Sequence, residues 1–163
     1  MEDDSPYNIA IARLSELAPI SDERLVRAIR AALLRHKTPR AEISVALVDD
    51  VRITRLNEIH CNRPNSTDVL AFDLRDQTDT VSGTGGEIEG EIVVSVETAV
   101  READARGHSA EAEVTLYTVH GILHLLGYDD AESPDARRMH ELEDEILASL
   151  GLEAVYGREP RCG

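Results

Sequence analysis

From Val114 to Leu126 the chain runs VTLYTVHGILHLL, in which only Thr115, Thr118, His120, Gly121 and His124 are not plainly apolar. A helix that is apolar on nearly every side has no face to turn toward water, so it belongs at the centre of the fold. The rest of the chain has to be arranged round it. The core this makes is aliphatic, because aromatic residues are 3% of the sequence, with no Trp and one Phe. A length of 163 residues suggests one domain spanning 1–163, enough to bury one sizeable core without staples.

Elsewhere the periodicity predicts ordinary elements. YNIAIA, 7–12, reads as a short strand. Ser21 is placed to cap a helix running to about His36, with Leu25, Val26, Ile29, Ala32 and Leu33 on one face and Pro39 helping to end it. EISVALV, 42–48, alternates as a strand with Ile43, Val45 and Leu47 on one side. Asp49 or Asp50 starts a short helix bearing Val51, Ile53, Leu56 and Ile59, and Asn62, Pro64 and Asn65 mark a loop. STDVLAFDL, 66–74, is a third strand and EIVVSV, 91–96, a fourth; residues 76–90 are expected to be a mobile connection or a hairpin with a loose tip.

A helix from near Glu97 should end by Gly107. Ser109 should cap the central helix, with Glu111 and Glu113 in its positively polarised first turn. Ser133-Pro134 should open the last helix, with Met139, Leu142, Ile146 and Leu150 inward and Gly151 at its end. The order β-α-β-α-β-β-α-α-α places the chain in the α+β class. About four strands should form a mixed sheet packed by about five helices, with the strand order left open.

The hydrophobic share of 42% and charged share of 30% are those of an ordinary soluble domain. A net charge of −15 opposes diffuse electrostatic binding to nucleic acid or to an anionic membrane, though not a local basic groove. Cys61 and Cys162 make no disulfide framework, and no apolar run approaches the ~20 residues of a membrane span. The acidic start MEDDSPYN lacks the basic region of a secretory signal. A reducing cytoplasm is the expected location.

His120 and His124 stand one turn apart on the central helix, so their ring nitrogens can be directed at one point. A buried imidazole without a partner is costly, and a divalent metal satisfies both rings at once. The competing reading is two separate core histidines, each hydrogen-bonded to a carbonyl. The context adds to the metal reading. Gly127 permits an abrupt helix end, and Asp129 and Asp130 follow, which gives a third ligand a route back. Three protein ligands with open positions are the catalytic type of zinc site rather than the structural type. Gly121 occupies the place where the helical metalloprotease motif has its Glu, so peptide hydrolysis by that route is disfavoured.

With these residues in view, the sequence resembles the YbeY family of bacterial rRNA-maturation endoribonucleases. The family signature is His-Gly-x-Leu-His-Leu-x-Gly-Tyr-Asp-His. This chain reads His120-Gly121-Ile122-Leu123-His124-Leu125-Leu126-Gly127-Tyr128-Asp129-Asp130 and departs only at the last position. Upstream, Thr67-Asp68-Val69-Leu70-Ala71-Phe72 is similar to the family's Thr-Asp-Val-Leu-Ser-Phe strand, Gly90-Glu91-Ile92 to its Gly-(Asp/Glu)-Ile strand, and Leu56-Asn57 to the Leu-Asn preceding its Tyr-Arg pair. The resemblance spans roughly residues 7 to 150.

The resemblance implies a single-strand-specific, metal-dependent endoribonuclease acting in small-subunit rRNA 3′-end maturation and ribosome quality control. It implies one zinc held by His120, His124 and Asp130. Asp130 stands where the family has its third metal histidine; a carboxylate still binds zinc and widens the choice toward harder ions such as manganese. The Tyr-Arg positions are His60 and Cys61 here, so the arginine assigned to the RNA-cleaving site is missing. Arg63 is the candidate to replace it, against a reading as a solvated loop residue. His60 is the candidate for proton transfer, against a reading as a lone surface histidine.

Asp129 would orient a ligand or cap the helix exit. Arg52, Arg55, Arg63 and Arg75 are candidate phosphate contacts, and Asp68 is expected to fix a loop. His36, His108 and His140 read as surface residues. Partners would be precursor rRNA, with ribosomal proteins or small-subunit assembly intermediates. Two further readings stay open: a non-catalytic ribosome-assembly factor with a structural metal, and a metal-dependent hydrolase of another small substrate.

Overall fold

The computed structural model describes residues 6–17, 20–61, 68–75, 87–127 and 134–152. Among them, Tyr7–Arg13 (β1), Ala41–Val48 (β2), Val69–Asp73 (β3) and Ile88–Ser95 (β4) form one sheet in the order β1-β2-β4-β3. β1 and β4 both run parallel to β2, with Ile11 opposite Val45 and Val45 opposite Ile92. β3 closes the far side antiparallel to β4, with Val69 opposite Val94. The sheet is therefore mixed, as expected.

Five helices accompany it: Asp22–Arg35 (α1), Asp50–Cys61 (α2), Val96–Arg106 (α3), Ala110–Leu125 (α4) and Pro134–Ser149 (α5). Three start on serine caps. The hydroxyls of Ser21, Ser95 and Ser109 accept hydrogen bonds from the backbone N–H groups of Arg24, Thr98 and Ala112, each satisfying a donor the helix leaves open. Gly107 ends α3 in the left-handed conformation, φ 77°.

Two boundaries differ from the expected ones by more than a residue. β4 begins at Ile88, not 91, so residues 88–90 are strand rather than loose connection. Gly90 is the reason a weak β-former serves there. A Cβ on it would lie 2.5 Å from Leu125 Cδ1 and 3.0 Å from the Phe72 carbonyl oxygen, so only a bare backbone lets α4 approach. β3 is shorter than 66–74, running from Val69 to Asp73. The remainder of the 76–90 segment lies outside the described residues, as does Ser133, the expected cap of α5.

The period-2 alternation divides the sheet's two faces. Ile43, Val45 and Leu47 of β2, with Ile92 and Val94 of β4, enter the main core with α1, α3, α4 and α5. Val48 and Val93 point the other way, packing with Ile53 and Leu56 of α2 and with Leu70 and Phe72 of β3. α4 lies at the centre of the main core, as its composition requires. Two polar residues it buries are satisfied within the helix: Thr115 and Thr118 donate to the carbonyls of Glu111 and Val114 at 2.7 and 2.8 Å. Arg24 ties three helices together, donating to Glu111 on α4 at 2.6 Å and to the Leu150 carbonyl after α5 at 2.9 Å.

Candidate metal centre

From Ala112 to Leu125 every residue is buried except His120 and His124. A helix apolar on nearly every side predicts both rings in the interior. Instead they form the one opening of that run toward the surface, half-buried and side by side. Their ring centroids are 4.6 Å apart in an edge-to-face arrangement, and the two Nε2 atoms are 3.1 Å apart. Two nitrogens bound at ~2.0–2.1 Å to one tetrahedral zinc stand about 3.3 Å apart. The pair is therefore already spaced close to what a shared ion requires.

A third group stands behind them. Glu143, on α5, is fully buried, and its Oε2 lies 2.7 Å from His120 Nδ1. An ionised carboxylate can only accept, so against it Nδ1 would carry the hydrogen and Nε2 would present its lone pair. This is the carboxylate–histidine arrangement that fixes ring and tautomer in metal sites. The sequence reading missed Glu143. The signal was present, because Glu143 falls on the same α5 stripe as the buried Met139, Leu142, Ile146 and Leu147. A carboxylate at such a core position has to have a partner.

Among the described residues, no group of three or more His, Cys, Asp or Glu is placed to hold a metal. Asp129 and Asp130 lie outside the described residues. Arg63 also lies outside the described residues. His60 is in the last turn of α2, and its side chain is not described.

Gly121 does more than leave out a protease glutamate. A Cβ there would lie 2.9 and 3.1 Å from two atoms of Ile92 and 3.5 Å from Val69, so the glycine lets the helix press its histidine-bearing turn against the sheet. Arg75 is engaged in structure: it donates to Asp73 at 2.6 Å, to the Glu87 carbonyl at 3.2 Å and to the Leu125 carbonyl at 3.3 Å. The bonds from the Arg75 guanidinium and backbone N–H hold the Asp73 carboxyl below its ordinary value. Arg52 and Arg55 are exposed on α2. The Asp68 main-chain carbonyl accepts from Ser95 N at 3.0 Å, a bond that does not involve its carboxylate.

His36 is exposed and His140 half-buried, but His108 is not a surface residue. The left-handed turn at Gly107 brings the chain back so that His108 Nε2 meets Glu113 Oε1 at 2.5 Å, both side chains buried.

A mixed-sheet α+β domain with a carboxylate-backed imidazole pair on its central helix is the class these features define. The solution structure of a Thermotoga maritima protein shares the fold, with a TM-score of 0.52 at 21% identity, covering 91% of this chain and 99% of that one. The sequence matches the family described as endoribonuclease YbeY over residues 11–151. It is 42% identical to endoribonuclease YbeY of Heliobacterium modesticaldum over 71% of this chain and 73% of the relative. The Carboxydothermus hydrogenoformans relative of the same name is 41% identical over 81% of this chain and 90% of its own. That of Thermobifida fusca is 41% identical over 80% and 86%. The chain belongs to the endoribonuclease YbeY family.

Proposed function

We propose that this chain, as a single domain over 1–163, is a metal-dependent, single-strand-specific endoribonuclease of small-subunit rRNA 3′-end maturation and ribosome quality control. Family membership makes it a hydrolase of internal RNA phosphodiester bonds. Metal dependence rests above all on the two imidazoles, the only residues from Ala112 to Leu125 that are not buried, with their Nε2 atoms 3.1 Å apart. His120, His124 and Asp130 would hold one divalent ion, zinc first and manganese as the alternative a carboxylate ligand allows.

Such an ion supplies Lewis acidity and a water acidified toward neutral pH. The chain supplies the rest. His120 and His124 present nitrogen donors at the surface end of a rigid buried helix. Arg63 takes the place of the family arginine that Cys61 lacks and contacts a phosphate. His60, in the last turn of α2, serves in proton transfer. The substrate is precursor rRNA, and basic ribosomal proteins or small-subunit assembly intermediates are partners suited to a chain of charge −15. Among the described residues no helix is long and apolar enough to cross a membrane, in keeping with a cytoplasmic site of action.

The test is metal content by elemental analysis, together with cleavage of a defined single-stranded rRNA precursor. Wild type should carry one ion per chain, and His124→Ala should lose most of it along with cleavage while staying folded. Asp130→His should retain the ion and bind zinc more tightly. Full metal retention in His124→Ala defeats the site. Loss of metal in Asp129→Ala but not in Asp130→Ala assigns the other carboxylate. Unfolding on metal loss supports a structural pin in an assembly factor.

A further inference from the structure

Glu143 is fully buried on the inner stripe of α5, where an aliphatic residue would complete the apolar surface made by Met139, Leu142, Ile146 and Leu147. Burying a carboxylate there is costly unless it is hydrogen-bonded. Its Oε2 lies 2.7 Å from His120 Nδ1, across 23 residues of sequence. We propose that Glu143 is the positioning residue of the metal centre: through His120 Nδ1 it locks the imidazole tautomer and ring angle that aim Nε2 at the point shared with His124. The proposal rests on the reading of His120 and His124 as metal ligands.

A neutral imidazole carries one hydrogen, and whichever nitrogen holds it cannot donate a lone pair to a metal. With Nδ1 committed to the carboxylate, Nε2 carries no hydrogen and accepts the 3.1 Å hydrogen bond from His124 Nε2, the bond a shared ion would replace. Without the carboxylate both tautomers compete, and the ring is free to rotate out of line. α5 thus reaches the site from behind, by a contact that touches no substrate, and its docking against α4 becomes a condition for ligand geometry.

Two measurements test this, one of them independent of any metal. In the metal-free wild-type protein, ring 15N shifts should show His120 protonated at Nδ1 and bare at Nε2. Glu143→Leu should abolish that preference, whereas Glu143→Gln, whose amide oxygen still accepts, should keep it. Zinc affinity by chelator competition should fall roughly 10–100-fold in Glu143→Leu and distinctly less in Glu143→Gln. An Nε2-protonated His120 in the wild type overturns the proposal even if the leucine variant fails to fold. A folded Glu143→Leu with wild-type tautomer or wild-type zinc affinity also overturns it. His124→Ala separates the two levels. Undiminished zinc affinity in that variant refutes the metal-site reading, while the 15N shifts still decide whether Glu143 governs the His120 ring.

Discussion

Gly121 shows what one residue contributes at this site. A glycine inside a helix is worse than alanine by roughly 1 kcal/mol, so propensity alone favours Gly121→Ala. Packing opposes it. The added methyl would meet Ile92, itself fully buried in the core, at 2.9 Å and Val69 at 3.5 Å. Ile92 has little room to yield, and overpacking of this kind costs about 1–3 kcal/mol. Gly121→Ala should therefore destabilise the fold, lowering the urea midpoint with an unchanged slope. A raised midpoint would show that the helix does not press on the sheet as described. His108 teaches the same lesson from the other side. Nothing local marks it as buried; the turn at Gly107, whose N–H and that of His108 both donate to the Ala103 carbonyl, carries it to Glu113.

At the scale of elements, α2 and α3 are joined by a polar brace at their N-termini. Asp49 receives the Arg52 N–H at 2.8 Å, which leaves Asp50 free for other bonds. The Asp50 carboxylate accepts from Ser95 Oγ at 2.6 Å, Thr98 Oγ1 at 2.7 Å and Arg101 at 2.6 Å, while its own N–H donates to Glu97 at 2.7 Å. Burial by itself would raise this carboxyl, but the bonds from Ser95, Arg101 and Thr98 together outweigh it and hold the group below its ordinary value of 3.8. A carboxyl depressed in the folded state stabilises fully above its unfolded pKa, about 3.9. That stability is lost as pH falls through the folded value. Asp50→Asn should therefore be less stable than wild type at pH 6, and the gap should narrow below about pH 4. Urea midpoints measured from pH 6 to 3 check this, and a gap constant across that range would dismiss the brace.

The whole molecule carries −15, so RNA has to be gripped by a few local cations. Several arginines are already committed within the fold: Arg13 to Asp22, Arg24 to Glu111, Arg75 to Asp73 and Arg101 to Asp50. Each single-strand phosphate contact contributes a slope of about −0.7 in log K against log salt. Two to four contacts predict a shallow total, roughly −1.5 to −3. Arg63→Ala should flatten it by about one contact if Arg63 replaces the family arginine. An unchanged slope together with unchanged cleavage would return Arg63 to a solvated loop role.

The order of elements, the caps Ser21 and Ser109, the α+β class and the imidazole pair were all legible in the linear chain, because each depends on spacings of a few residues; the cap Ser95 read only as strand. Apolar periodicity marked α1 and β2, and each serine cap accepts from a backbone N–H only three residues on. The unbroken apolar run of α4 demanded a central position wherever its neighbours came from. Strand order, the early start of β4 and the rise of His120 and His124 to the surface depended on which distant segments pack together. So did the meeting of Glu143 with His120, across 23 residues. Contacts of that kind leave no local period in the sequence. A buried carboxylate on α5 reads only as a polar break in an apolar stripe until the fold sets an imidazole against it.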